Sequence, residues 1–225
     1  MAIEAKFREL LGMPEKQTDP KPVIDFIRQD DERFNELRFK VESEPGFFIP
    51  CHLLLPKKFE GKIPVVIAMQ GHATGMHISL GRPIYPGDEN DIKGGDRDFC
   101  LQAVARGYAA VAMEQRGFGE LVPTIGEKER CLHVALGAFE VGRTLIGERI
   151  SDVSRLIDAL SAFEMLDLDR IAVTGNELVE GVASRNESEI LSETLGVELI
   201  IGKTLTHEKA WNINGENVTL SVERV

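Results

Sequence analysis

The residues best suited to chemistry fall in three short clusters. Gln70-Gly71-His72 follows one apolar run, and Glu114-Gln115-Arg116-Gly117-Phe118-Gly119-Glu120 follows another. Thr174-Gly175-Asn176 closes a third, with Glu177 next in the chain. Glycine lets a backbone turn tightly or approach a ligand, and exposed backbone N–H groups can stabilise an oxyanion. In an open α/β sheet, ligands bind at the carboxyl ends of the strands. Gln70, Gly71, Glu114, Arg116 and Asn176 are therefore candidates for a strand-end pocket.

Each candidate has a functional and a structural interpretation. Glu177 can be an acyl- or alkyl-accepting carboxylate. It can equally sit in the first turn of a helix, where a carboxylate suits the dipole. Without a matching base in view, the second is preferred. Arg116 can bind a substrate carboxylate or anchor its own loop through a buried acid. His72 and His77 lie close in sequence, but no Cys or third His accompanies them, so no metal site is expected. Cys131 and His133 are assigned to the loop before a long helix, with a packing role. His207-Glu208 can mimic a base and its orienter, although on a hairpin strand they would face solvent. Ser184, in Gly181-Val182-Ala183-Ser184, lacks the spacing of a nucleophile elbow.

Alternating elements must position these groups. Residues 1–12 form a short helix in this scheme, and residues 34–41 and 47–55 form two strands joined by the turn Glu44-Pro45-Gly46. Three solid apolar runs, 63–69, 108–113 and 170–174, read as strands covered on both faces. Residues 70–95 and 114–135 read as long loops. A helix over 96–106 starts with acids and stops at Gly107. Residues 136–166 keep a helical period. Buried strands alternating with helices predict a parallel α/β sheet with crossovers on both faces.

Composition divides the chain in two. Its 225 residues carry a net charge of −11 and 43% hydrophobic residues, as in an ordinary globular protein. Every Cys, Met, Phe, Pro and Asp lies in residues 1–176, whereas 177–225 hold the single Trp, Trp211. The expected domains are therefore a body, 1–176, and an unrelated acidic tail, 177–225. In that tail a helix over 188–195 and a strand over 197–201 would complete a crossover. A hairpin over 205–213 and 216–225 would turn at Asn214-Gly215. The acidic balance argues against nucleic acid as a partner. The N-terminus lacks an apolar signal region, and no apolar run is long enough to span a bilayer. No membrane partner and a cytoplasmic location are the expectation.

Four segments resemble the α/β-hydrolase superfamily, in the branch of acetyl xylan esterases and dienelactone-hydrolase-like enzymes. Ile63-Pro64-Val65-Val66-Ile67-Ala68-Met69-Gln70-Gly71-His72 resembles the strand ending in a His-Gly oxyanion loop, with Gln70 where His is usual. Residues 98–108 resemble the next helix and the Arg-Gly-Tyr entry to its strand. Met113-Glu114-Gln115-Arg116-Gly117-Phe118-Gly119 resembles a D-x-R-G-x-G loop, with Glu114 replacing Asp. Arg170-Ile171-Ala172-Val173-Thr174-Gly175-Asn176 resembles the strand that feeds the nucleophile elbow.

The resemblance covers residues 33–176. It implies a three-layer, α/β-hydrolase-type, mostly parallel sheet, truncated on its C-terminal side. It also implies ester hydrolysis through a serine, with a small-molecule ester substrate and no metal or organic cofactor. His72 is its oxyanion-hole candidate, through the backbone N–H. Where Ser-Gly-Gly should follow Asn176, the sequence has Glu177-Leu178-Val179. Nothing later resembles the family's acid and His, so the chain is expected to be an inactive homologue. Two alternatives remain: a non-catalytic binding or assembly module, or a hydrolase built unusually on Glu177 and His207. The 170–174 strand would be an apolar edge open to homo-oligomers unless the tail covers it.

Overall fold

The computed structural model describes residues 3–16, 19–29, 31–122, 131–175, 198–199, 209–213 and 216–220. Within 1–175 the elements run in order. They are helix α1 (Ile3–Leu11), strands β1 (Pro22–Arg28), β2 (Phe34–Glu44), β3 (Phe47–Pro56) and β4 (Ile63–Met69), and helices α2 (Asp88–Gly95) and α3 (Phe99–Ala105). Strand β5 (Ala109–Met113), helices α4 (Cys131–Glu140) and α5 (Leu145–Leu160) and strand β6 (Leu166–Gly175) follow. Strand β7 (Glu198–Leu199) and strands β8 (Lys209–Ile213) and β9 (Glu216–Leu220) lie beyond.

The main sheet has the order β1-β2-β3-β5-β4-β6-β7. It is antiparallel from β1 to β5 and parallel from β5 through β4 to β6 and β7. The two middle parallel strands, β4 and β5, are those whose sequences are solidly apolar. Helices cover both faces, because parallel strands need crossovers of helix length. On one face α5 packs Val153, Leu156 and Leu160 against Phe39, Ile67, Val111 and Val173. On the other, α3 packs Cys100, Ala103 and Val104 against Leu54, Val66, Ala68 and Ala110.

Three expectations need correction. Strand β1 falls outside every predicted element: it is an edge strand with exposed residues and a register shift around Asp25. The loop expected over 70–95 holds α2. The helix expected over 136–166 is two helices, and Cys131 and His133 lie in α4, with His133 exposed, rather than in a loop. The helix breaks because Gly142 adopts φ +72°, and the Arg143 N–H turns back to the Ala138 carbonyl, a Schellman closure. Thr144 then caps α5 by accepting the Gly147 N–H at 2.9 Å. Its hydroxyl also donates to the Leu11 carbonyl at 2.7 Å, tying α1 to the start of α5.

Strand β7 pairs with β6 in parallel, Ala172 with Glu198 and Val173 with Leu199, where a tail strand was expected. Strands β8 and β9 form a separate antiparallel ribbon with Trp211 opposite Val218. The helix expected over 188–195 lies outside the described residues. Among the described residues, no helix is long and apolar enough to cross a membrane.

Candidate functional site

The carboxyl ends of β4, β5 and β6 lie side by side, since β4 is flanked by the other two. This brings together Gln70 and Gly71 after β4, Glu114 to Arg116 after β5, and Thr174 and Gly175 at the end of β6. Asn176 and the slot residue Glu177 lie outside the described residues, as do Ser184 and His207.

Glu114 is buried and fastens two strand-end loops together. Its carboxylate accepts the Met76 N–H at 3.2–3.3 Å and the Glu120 N–H at 3.2 Å. Burial pushes its pKa up to about 7, against the pull of those N–H groups. The approach is close enough to demand glycine: a Cβ on Gly119, at φ +44°, would sit 2.0 Å from Glu114 Oε2.

Its neighbours are equally committed. Gln115 Nε2 donates to the Gln70 carbonyl at 2.6 Å, lashing the end of β5 to the end of β4. Gln70 is buried, and its Oε1 accepts from the Ser79 hydroxyl at 2.8 Å. Gln70 Nε2 and Gln115 Oε1 are buried without a hydrogen-bond partner.

Arg116 is taken up by acids of its own chain. Nε and Nη2 donate to the two oxygens of buried Asp152 at 2.7 and 2.9 Å, and Nη2 also reaches Glu44 at 2.7 Å. Nη1 lies 3.2 Å from Glu148, and the guanidinium stacks over Phe47. Burial opposes the charge on Arg116, but its acids outweigh this and raise its pKa. For Asp152 burial dominates and raises the carboxyl despite Arg116. Arg116 thus joins the end of β5 to α5 and to the end of β2.

His72, the oxyanion-loop candidate, is exposed, and its ring meets Phe118 edge-on at 5.9 Å. His77 belongs to a separate clamp. Its Nε2 lies 2.9 Å from Asp88 Oδ2 and 2.9 Å from the Thr74 hydroxyl, which donates to Asp88 Oδ1 at 2.6 Å. The single hydroxyl proton goes to Asp88, so Nε2 must carry the imidazole proton. His77 is thus a donor here, and Thr74 is not a nucleophile facing a base. Asp88 also accepts the Ile84 and Tyr85 N–H groups, which fixes the loop. Among the described residues, no three His, Cys, Asp or Glu side chains gather as a metal site requires.

A second buried network escaped sequence reasoning. Glu36 accepts from Arg82 at 2.7 and 2.8 Å and pairs with His52 Nδ1 at 2.5 Å. Arg38 donates to His52 Nε2 at 3.1 Å, so Nδ1 carries the proton toward Glu36. Burial would raise the Glu36 pKa, but His52 and Arg82 hold it at about 2. Arg38 continues to Glu120, whose N–H bonds Glu114. The three come from adjacent strands, with Arg38 directly opposite His52 in the β2–β3 register. A charged Glu36 and an Arg38, two residues apart in an expected strand, were the available signal.

No family model and no curated protein matches the sequence. Solved structures do resemble it. A provisionally assigned acetyl xylan esterase from Bacteroides fragilis superposes with a TM-score of 0.68 at 20% identity, over 85% of this chain and 48% of that one. This chain has an α/β-hydrolase-type fold. Acetyl xylan esterase 1 from Thermoanaerobacterium has a TM-score of 0.51 at 21% identity, over 78% and 55% of the two chains. A glucuronoyl esterase from Solibacter usitatus gives 0.51 at 14%, over 77% and 51%. The chain therefore spans about half the length of the α/β-hydrolase-type structures it matches.

Proposed function

We propose that this protein is an esterase-like hydrolase scaffold without a serine nucleophile, and that it does not turn over esters by itself. The observation that carries the proposal is the sequence at the end of β6. The chain leaves Gly175 as Asn176-Glu177-Leu178-Val179, where serine hydrolases of this fold carry G-x-S-x-G. Val179 replaces the glycine that lets the elbow close. The strand-end groups support the same view. Glu114 and Arg116 direct their charged groups to loops and helices of their own chain. Any ester substrate would be a small molecule, bound at the carboxyl ends of β4, β5 and β6.

Hydrolysis of 4-nitrophenyl acetate tests this. The unaltered chain should match the uncatalysed rate, and Glu177→Gln and His207→Ala should leave that rate unchanged. Saturable turnover lost in both variants would replace the proposal with a working Glu177–His207 site.

A second function, a non-catalytic assembly module, is favoured by exposed apolar residues on β1 and α4. Homo-oligomers through a sheet edge belong to it. Mass that rises with concentration in sedimentation equilibrium would favour this function, and a strict monomer would remove it.

A further inference from the structure

His52 is buried on β3, and both of its ring nitrogens are engaged. Nδ1 faces Glu36 Oε1, and Nε2 lies 3.1 Å from Arg38 Nη1. A guanidinium can only donate, so Nε2 is the bare, accepting nitrogen and the ring is neutral. The surrounding charges come from three places. Strand β1 supplies Asp25 and Arg28, and β2 supplies Glu36, Arg38 and Lys40. The strand-end loops supply Arg82 and Glu120. Phe26 of β1 meets the ring edge-on at 6.1 Å. Asp25, Glu36 and Glu120 are each already paired with Arg28, Arg38, Arg82 or Lys40. A further positive charge on His52 therefore meets acids that already have cations.

The two partners of His52 each hold one strand-end loop. Glu36 takes the Arg82 guanidinium with both oxygens, and the Arg82 N–H bonds the His77 carbonyl at 3.0 Å. Arg38 grips the Glu120 carboxylate with Nη1 at 2.9 Å and Nη2 at 2.5 Å. The Glu120 N–H in turn bonds Glu114. Arg38 Nη1 is thus shared between His52 and the loop after β5.

We infer that His52 is a proton-sensitive latch for the loop after β5. A proton taken from solvent at Nε2 turns the acceptor into a donor, and two donors cannot share a hydrogen bond. Glu36 keeps the Nδ1 side of the ring, so Arg38 is the group that must withdraw. Its Nη1 also bonds Glu120, so the withdrawal shifts Glu120 and, through the Glu120 N–H, the clasp on Glu114. The Arg82 loop stays on Glu36. Acid therefore loosens one of the two strand-end loops and spares the other.

Nitrogen-15 NMR of the full chain tests this. In mildly alkaline solution the His52 ring should show a protonated Nδ1 and a bare Nε2. Acidification should protonate Nε2, and the Arg38 Nε–H and Glu120 backbone N–H signals should shift with the same midpoint. The Arg82 Nε–H signal should not follow. His52→Gln should abolish the shared transition, and His133→Gln should leave it. Glu114→Gln should also leave it, which separates His52 from the titration of Glu114 itself. A bare Nδ1 in the unaltered chain would overturn the inference without any variant. So would a ring that stays neutral until the chain unfolds, or one that titrates while Arg38 and Glu120 stay still. A Glu120 transition that survives His52→Gln, or disappears in Glu114→Gln, would assign it to another group.

Discussion

At the scale of single residues, Glu114 and Arg116 at the strand ends are held by groups of their own chain. Glu114 shows the consequence for pH. Its folded pKa of about 7 stands above the ordinary 4.5, so the native state keeps a proton that the unfolded chain releases. Stability from this group is full below pH 4.5 and is lost as pH rises to about 7. At about 1.36 kcal/mol per unit, the loss is on the order of 3 kcal/mol. Urea unfolding at pH 5 and pH 8 should show this decline, and Glu114→Gln should flatten it. An equal decline in the variant would assign it to another group. Arg116 makes the complementary case. Arg116→Met leaves Asp152 buried without its cation and should cost roughly 3–5 kcal/mol in unfolding free energy. Arg116→Lys should recover only part, because a lysine cannot bridge both Asp152 oxygens and Glu44. Full recovery by Lys would mean that charge alone matters there. The anchoring role of Arg116 was legible in the sequence as a general tendency of such arginines. Its partner was not: Asp152 lies 36 residues away, and only the fold brings it near.

Among the elements, the legible strands were those buried on both faces. β4 and β5 are nearly continuous apolar runs, and the core of β6 is another, because helices cover them above and below. β1 was illegible because its residues Pro22–Arg28 follow no burial pattern; an exposed edge does not require one. α2, Asp88–Gly95, was equally hidden. It has one large apolar residue, Ile92, and its start is held by Asp88 gripping Ile84 and Tyr85 rather than by an apolar stripe. The junction of α4 with α5 was missed because the apolar period runs through it, whereas Gly142 and Thr144 decide the break. That junction seats α1. A Cβ on Gly147 would fall 2.3 Å from the Leu11 carbonyl, so Gly147→Ala should push α1 off α5. The expected cost is about 1–3 kcal/mol, with faster amide exchange confined to α1. Unchanged exchange in α1 would show that the contact is dispensable.

For the whole molecule, the alternation of buried strands and helices already carried the layered architecture, and the solved esterase structures share it. The four motif segments carried the resemblance because each marks a strand end or a strand entry, where backbone geometry restricts the choice of residue. The proposed loss of the nucleophile rests on one sequence pattern. Nothing in composition or periodicity distinguishes Glu177 from a serine; the elbow pattern G-x-S-x-G does. The central proposal is that an α/β-hydrolase-type scaffold here lacks an activated hydroxyl. Intact mass before and after a fluorophosphonate probe tests it most directly, on protein first shown to melt cooperatively. The account predicts an unchanged mass. A single stoichiometric adduct would contradict it, and peptide mapping would then name the nucleophile.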